Sequence, residues 1–169
     1  MFPQKTRSIE ELQELVQVMA WNNGFGCYTR TGFETLVWPE IAERARWFVY
    51  FDVDNVHALN EAHGGYDAVD AMIHQCLAIL RLTDYVAGQW KSGDEFLICV
   101  VETDAASTNE LRDHMDPETL VRRLTDELKK QGMSASFAIV PVISRDLAKN
   151  IEPAIEQVYA LKKQRAVGR

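Results

Sequence analysis

The chain is short of cysteine, short of basic charge and without a long apolar run. Its three cysteines, Cys27, Cys76 and Cys99, are odd in number and lack the paired spacing of a metal knuckle. Cytoplasmic, reduced thiols are the simplest reading, and a disulfide framework is not expected. Lys and Arg total 18 against 25 Asp and Glu, for a net charge of −7. A phosphate backbone demands clustered cations, so no nucleic-acid partner is expected. A nucleotide is still compatible, because a divalent cation and a few local side chains neutralise a triphosphate. No apolar run approaches the roughly 20 residues that cross a bilayer, and Met1 to Glu11 is polar, unlike a signal peptide; no membrane partner is expected. What is present is ordinary globular material, 47% hydrophobic and 25% charged over 169 residues, enough for one domain with its own core.

Periodicity divides the chain into helices and strands. Ser8-Ile9-Glu10-Glu11 has the pattern of a capping box, followed by Leu12, Leu15, Val16 and Met19 at helical spacing to about Ala20. Gly24 to Gly32 reads as a glycine-rich loop, and Phe33 to Ala42 as a short helix despite Pro39. Ala45 to Val53 is apolar on both alternating faces, as in a strand covered from both sides. Asn55 to Ala62 forms a helical turn, stopped by Gly64-Gly65, and Asp67 to Leu82 carries a helical stripe. Tyr85 to Trp90 and Phe96 to Val101 make a hairpin turning at Lys91 to Glu95. Glu102 to Asp116 is polar and reads as a surface loop; Asp116 and Pro117 open a helix to Gln131, closed by Gly132. Met133 to Ile143 is another strand, and Pro153 is read as the first turn of a last helix running to about Gln164.

Two acidic segments stand out: Phe51-Asp52-Val53-Asp54-Asn55 and Lys91-Ser92-Gly93-Asp94-Glu95-Phe96. Each puts carboxylates at a strand end or tight turn beside an apolar β-type run. If the strands are neighbours, Asp52 and Asp94 face each other at one edge of a sheet. Two hard oxygen ligands with open coordination positions suit a Mg²⁺ site for nucleotide chemistry. The blander alternative is a pair of solvated, capped turn carboxylates.

These segments resemble the GGDEF family, the diguanylate cyclases and their degenerate relatives. Asn22 to Phe33, with Gly26, Arg30 and Phe33, is similar to the family's opening D-x-L-T-G-L-x-N-R-R-x-F. Asp52 to Glu61 is similar to D-I-D-x-F-K-x-I-N-D, and Ser92 to Phe96 matches the signature with Ser92 in place of the first glycine. Ser134 to Ala138 resembles T-x-S-x-G, and Val158-Tyr159-Ala160-Leu161-Lys162 resembles the late M-Y-x-A-K. The landmarks fall in the family's order along nearly the whole chain.

The resemblance implies an α/β fold of the ferredoxin-like or polymerase-palm kind, GGDEF-type, with a central, mostly antiparallel sheet and helices on both faces. Residues 1–20 would be an N-terminal helical extension and residues 21–169 the cyclase-like domain. The family usually closes with a strand after the last helix, which is not expected here. The implied reaction condenses two GTP, or another NTP, into a cyclic dinucleotide such as cyclic di-GMP, with release of pyrophosphate. It needs Mg²⁺ or Mn²⁺ and two facing copies, hence a homodimer, at least a transient one. Asp52, Asp94 and Glu95 would be catalytic, with Asp52, Asp94 and the carbonyl of Val53 holding metal. Asn60, His57, Asp70, Gly93, Lys162 and Arg165 would bind nucleotide.

Several of these positions depart from the family. His57 replaces a lysine, and Ala166 stands where an arginine is expected, beside Arg165. The base-reading carboxylate falls on Val69 by ungapped count, with Asp67 and Asp70 close by. Asn60 reads equally as a helix-surface amide, and Lys162 and Arg165 as a solvated helix end complementing the dipole. Arg81-Leu82-Thr83-Asp84 is similar to the R-x-x-D inhibitory site, but its spacer to Ser92 is longer and the pattern is frequent by chance. His63, His74 and His114 show no ligand spacing, and Trp21, Trp38, Trp47 and Trp90 read as packing anchors. The rival function is a catalytically lapsed domain that binds GTP or cyclic di-GMP as a regulatory module.

Overall fold

The computed structural model describes residues 8–80, 84–102 and 116–167, and Ser8 is the first of them. Its hydroxyl accepts from Glu11 N at 3.1 Å, and its own N–H donates to the Glu11 carboxylate at 3.0 Å, closing the capping box of α1 (Ile9–Ala20). A short strand β1 (Trp21–Asn22) precedes the expected glycine-rich loop and pairs antiparallel with β2 (Cys27–Thr29) inside it. Strands this short show no alternation to read, and Gly26, at φ 64°, supplies the turn's left-handed residue.

The next helical stretch starts earlier than expected. It runs through α2 (Arg30–Gly32), a π-helical segment (Phe33–Val37) and α3 (Trp38–Ile41). Pro39 supplies no N–H, and the helix widens just ahead of it.

The sheet has six strands in the order β1-β2-β4-β5-β3-β6. Its centre is β3 (Ala45–Val53), antiparallel to β5 (Glu95–Val101) on one side and β6 (Ala135–Pro141) on the other. β4 (Asp84–Gly88) joins β5 antiparallel, and among the described residues the one parallel pairing is between β2 and β4. Side chains alternate across the strands, so the continuous apolar run of β3 divides between two cores. Phe48, Tyr50 and Leu97 pack under Phe33, Trp38, Ile151, Ile155 and Val158. Val49, Phe51 and Ile98 pack on the other face, under Val69, Ile73, Leu120, Leu124 and Leu128.

Around the sheet lie α4 (Val56–His63), α5 (Tyr66–Leu77), α6 (Pro117–Lys130) and α7 (Leu147–Val167). α5 stops short of the expected Leu82. Asp116 caps α6 through Thr119 N at 2.8 Å, with Pro117 in the first turn. β6 is shorter than the expected Met133 to Ile143. The surface loop read from Glu102 to Asp116 lies, for residues 103–115, outside the described residues.

The largest correction concerns α7, which begins at Leu147 and carries Pro153 inside it. The buried Asn150 fixes that earlier start. Its Oδ1 accepts from Ile143 N at 2.9 Å and Ser144 N at 3.0 Å, and its Nδ2 donates to the carbonyls of Ser144 and Asp146. Burial of Ile151, Ala154 and Ile155 on both sides of Pro153 outweighs the lost backbone bond. All three cysteines are free and buried.

Gly32 lets α1 and α2 meet. A Cβ there would lie 2.5 Å from the Ala20 carbonyl oxygen and 2.6 Å from its Cα. Gly32→Ala should therefore lower stability by about 1–3 kcal/mol, seen as a reduced urea midpoint at unchanged slope. An unchanged midpoint would show that α1 does not hold this position in solution.

Candidate functional site

The antiparallel register of β3 and β5 brings the acidic segments to one end of the sheet. Asp52 is the cross-strand partner of Glu95, and Val53 N donates to the Asp94 carbonyl at 2.9 Å. Aromatic contacts next to the acids hold that register. Phe51 stacks on Phe96 at 5.0 Å and on Phe137 at 5.3 Å, its partners in the neighbouring strands.

The three carboxylates have different surroundings. Asp52 is 5% exposed, and its Oδ1 is ion-paired with the Lys162 ammonium of α7. Burial pushes its pKa up to about 6; Lys162 opposes that rise, while Asp94 and Glu95 add to it. Asp94 sits in the turn, where its Oδ1 accepts from the Ser92 hydroxyl at 2.5 Å. Glu95 is 1% exposed and fully engaged. Its Oε2 accepts from Lys91 N at 3.1 Å and Ser92 N at 2.8 Å, and its Oε1 accepts from Tyr159 OH at 2.9 Å. In this arrangement Glu95 braces the turn, and burial, followed by the hydrogen bond to Glu95 and the Glu95 charge, pushes the Tyr159 phenol up.

A cleft of about 340 Å³ opens beside the turn, with Gly93 and Asp94 at one end and His57, Asn60, Asp70 and Gln89 among its other walls. Asn60 is buried, and its Oδ1 has no hydrogen-bond partner among the described residues. Such an acceptor is costly unless a ligand donates to it. Val69 points into the core, and of its neighbours Asp67 and Asp70 it is Asp70 that lines the cleft; burial first, then Asp67, raises its pKa. His57 is largely exposed and lies 3.4 Å from Glu61. A larger cleft of about 410 Å³, lined by Arg30, Trp38, Trp90 and Arg145, includes none of Asp52, Asp70, Asp94 and Glu95.

The other sequence candidates are placed as follows. Arg165 Nη1 is bonded to Asp54 at 3.0 Å and to the Ser136 hydroxyl at 3.1 Å, and Asp54 also accepts from Ser134. Val53 is buried at the end of β3, opposite Ala135. Arg81 lies outside the described residues, and Asp84 is buried at the start of β4, opposite Val100. Sequence reasoning gave no site role to Ser92, Gln89 or Tyr159. Tyr159 had a signal, since it precedes Lys162 by three residues and therefore shares its helix face.

Among the described residues, no group of three or more His, Cys, Asp or Glu is arranged to hold an ion. The donor set of Asp52 and Asp94 still fits Mg²⁺ or Mn²⁺. Mg²⁺ takes one or two carboxylates and completes its shell with water and phosphate oxygens.

No protein-family model matches the chain, and no curated protein matches it. Solved structures do. A sensory box/GGDEF family protein from Caulobacter crescentus is 17% identical, with TM-score 0.62 over 86% of this chain and 99% of that one. The diguanylate cyclase SiaD of Pseudomonas aeruginosa, solved with its activator SiaC, is 18% identical, with TM-score 0.66 over 92% of this chain and 64% of that one. Vibrio cholerae LapD, as an S helix-GGDEF-EAL chain bound to c-di-GMP, is 16% identical, with TM-score 0.57 over 83% of this chain and 33% of that one. The chain thus has the GGDEF-domain fold, and it spans about two thirds of SiaD and one third of the LapD chain. No helix among the described residues is long and apolar enough to cross a membrane.

The buried acid makes a stability prediction. Asp52 has a pKa near 6 in the fold against its ordinary 3.8, so its carboxyl holds a proton more tightly folded than unfolded. Its contribution is most favourable below about pH 4 and is lost as pH rises through about 6. Asp52→Asn should raise stability at pH 7 by about 1–2 kcal/mol, with the gain vanishing by pH 4. Urea unfolding at both pH values checks this; a variant less stable at pH 7 would show that the Lys162 pair outweighs burial.

Proposed function

We propose that this GGDEF-fold domain is a divalent-cation-dependent nucleotidyl cyclase, joining two GTP molecules into cyclic di-GMP with release of pyrophosphate. The observation that carries this reading is the convergence of Asp52 and Asp94 at one sheet end, next to a cleft containing an unsatisfied Asn60 Oδ1 and the Asp70 carboxylate. Guanine fits those acceptors. Its N1–H and N2–H₂ donate to Asp70 and Asn60, while adenine offers a single exocyclic donor and leaves an acceptor unpaired. The phosphates run toward Gly93, where a Cβ would meet nothing within 4 Å, so the backbone leaves room for them.

Asp52 and Asp94 would hold Mg²⁺ or Mn²⁺, which would supply charge neutralisation at the phosphates and lower the pKa of the attacking 3′-hydroxyl. Glu95 keeps the turn in shape, so that Asp94 and Gly93 face the cleft. Each 3′-hydroxyl has to reach the α-phosphate of the other nucleotide in line, which calls for two copies face to face, at least transiently. Mixing GTP with the protein should yield cyclic dinucleotide and pyrophosphate, and Asp94→Asn should bring both below detection.

A second reading has its own support. Lys162 is on Asp52 and Arg165 is on Asp54, so both candidate phosphate cations are engaged within the protein. A regulatory module that binds GTP or cyclic di-GMP without turnover accounts for that equally. Calorimetry separates the two: nucleotide binding without pyrophosphate release favours the module, and absence of binding rejects both. Under either reading, Asp70→Ala should cut the preference for GTP over ATP by about tenfold to a hundredfold in binding assays. An unchanged ratio would remove Asp70 from the base site.

A further inference from the structure

α7 reaches the acidic end of the sheet with two side chains from one face. Tyr159 donates to Glu95, and Lys162, three residues on, pairs with Asp52 Oδ1. The Asp52 side chain is 7% exposed and that of Lys162 is 33% exposed, so the ammonium sits between a buried carboxylate and solvent. Arg165 is committed to Asp54 and Ser136, and no other cation pairs with Asp52 among the described residues. Lys162 holds one of the two Asp52 oxygens, so a divalent cation drawn to that carboxylate competes with the ammonium for it.

We propose that Lys162 is a resident counter-ion, displaced from Asp52 by the divalent cation and received by the nucleotide's phosphates, so that cation and nucleotide load as a coupled pair. This rests on the cation site of the cyclase reading and adds its order of assembly. A cation arriving alone competes with the ammonium and, in displacing it, leaves it without a partner. A cation arriving with a triphosphate gives that ammonium new anionic oxygens. Lysine suits the exchange, because its charge is compact and its four-carbon stem swings freely. The penalty on the lone cation and the gain in its presence with nucleotide are one coupling free energy, and it acts reciprocally on both ligands.

The test measures Mn²⁺ binding to the full chain by the loss of free-ion paramagnetic resonance signal, with and without the α,β-methylene analogue of GTP. Lys162→Met should bind Mn²⁺ alone about tenfold more tightly than wild type, and the enhancement by the analogue should shrink by a similar factor. Lys162→Gln is the second variant, and circular dichroism checks that both are folded. Lys163→Met removes the same charge from the exposed neighbouring residue and should shift affinity by less than about twofold. Folded Lys162 variants that bind Mn²⁺ no better than wild type would overturn the exchange, as would a Lys163→Met gain of equal size. If Mn²⁺ binding persists in Asp94→Asn, or no variant binds Mn²⁺, the cation site itself is wrong and the exchange falls with it. If binding depends on Asp94 but ignores Lys162, the exchange alone is rejected.

Discussion

Pairing the last residues of β3 with the first of β5 is the constraint on which the site depends. It sets Asp52 against Glu95 and ties Val53 to the Asp94 carbonyl, confining three acids to one sheet end. Burial raises the pKa of Asp52, and the neighbouring Asp94 and Glu95 charges add to that rise. The arrangement is held by what lies on either side of it. The Phe96–Phe51–Phe137 stack fixes the register across three strands, and the cores on both faces allow β3 no other position.

The charge is then distributed by separate partners. Lys162 answers Asp52, the Ser92 hydroxyl answers Asp94, and two turn amides with the Tyr159 phenol answer Glu95. Two of these donors come from α7, whose position depends on Asn150 at its start and on the apolar residues around Pro153. The final helix is therefore part of the site as much as of the core. Any motion of α7 alters Asp52 and Glu95 together, because Tyr159 and Lys162 move as one face.

Much of this was readable because the relevant signals are local. The capping box at Ser8, the apolar run of Ala45–Val53 and the cap and proline opening at Asp116-Pro117 are short-range patterns, and each forms as its residues dictate. The misreadings came where distant partners decide. Pro153 looked like a helix start because the rule for proline is local, whereas Asn150 and the buried Ile151 and Ile155 set the true boundary. β1 and β2 were invisible because strands of two or three residues exist only through the sheet edge that receives them. Ungapped counting favoured Val69 for the base-reading position. Helix phase puts Val69 in the core and Asp70 in the cleft.

Sequence alone determined which residues carry charge, where the turns fall and that two acidic segments each adjoin a strand. These follow from residue type and spacing over a few positions, where backbone sterics and periodicity act directly. Tertiary structure decided what each acid does: Asp52 buried under a lysine 110 positions away, Asp94 tethered beside the cleft, Glu95 turned inward to hold the loop. The reason is physical. A carboxylate's role depends on its burial and its donors, and both are supplied by elements that come near it only when the chain folds.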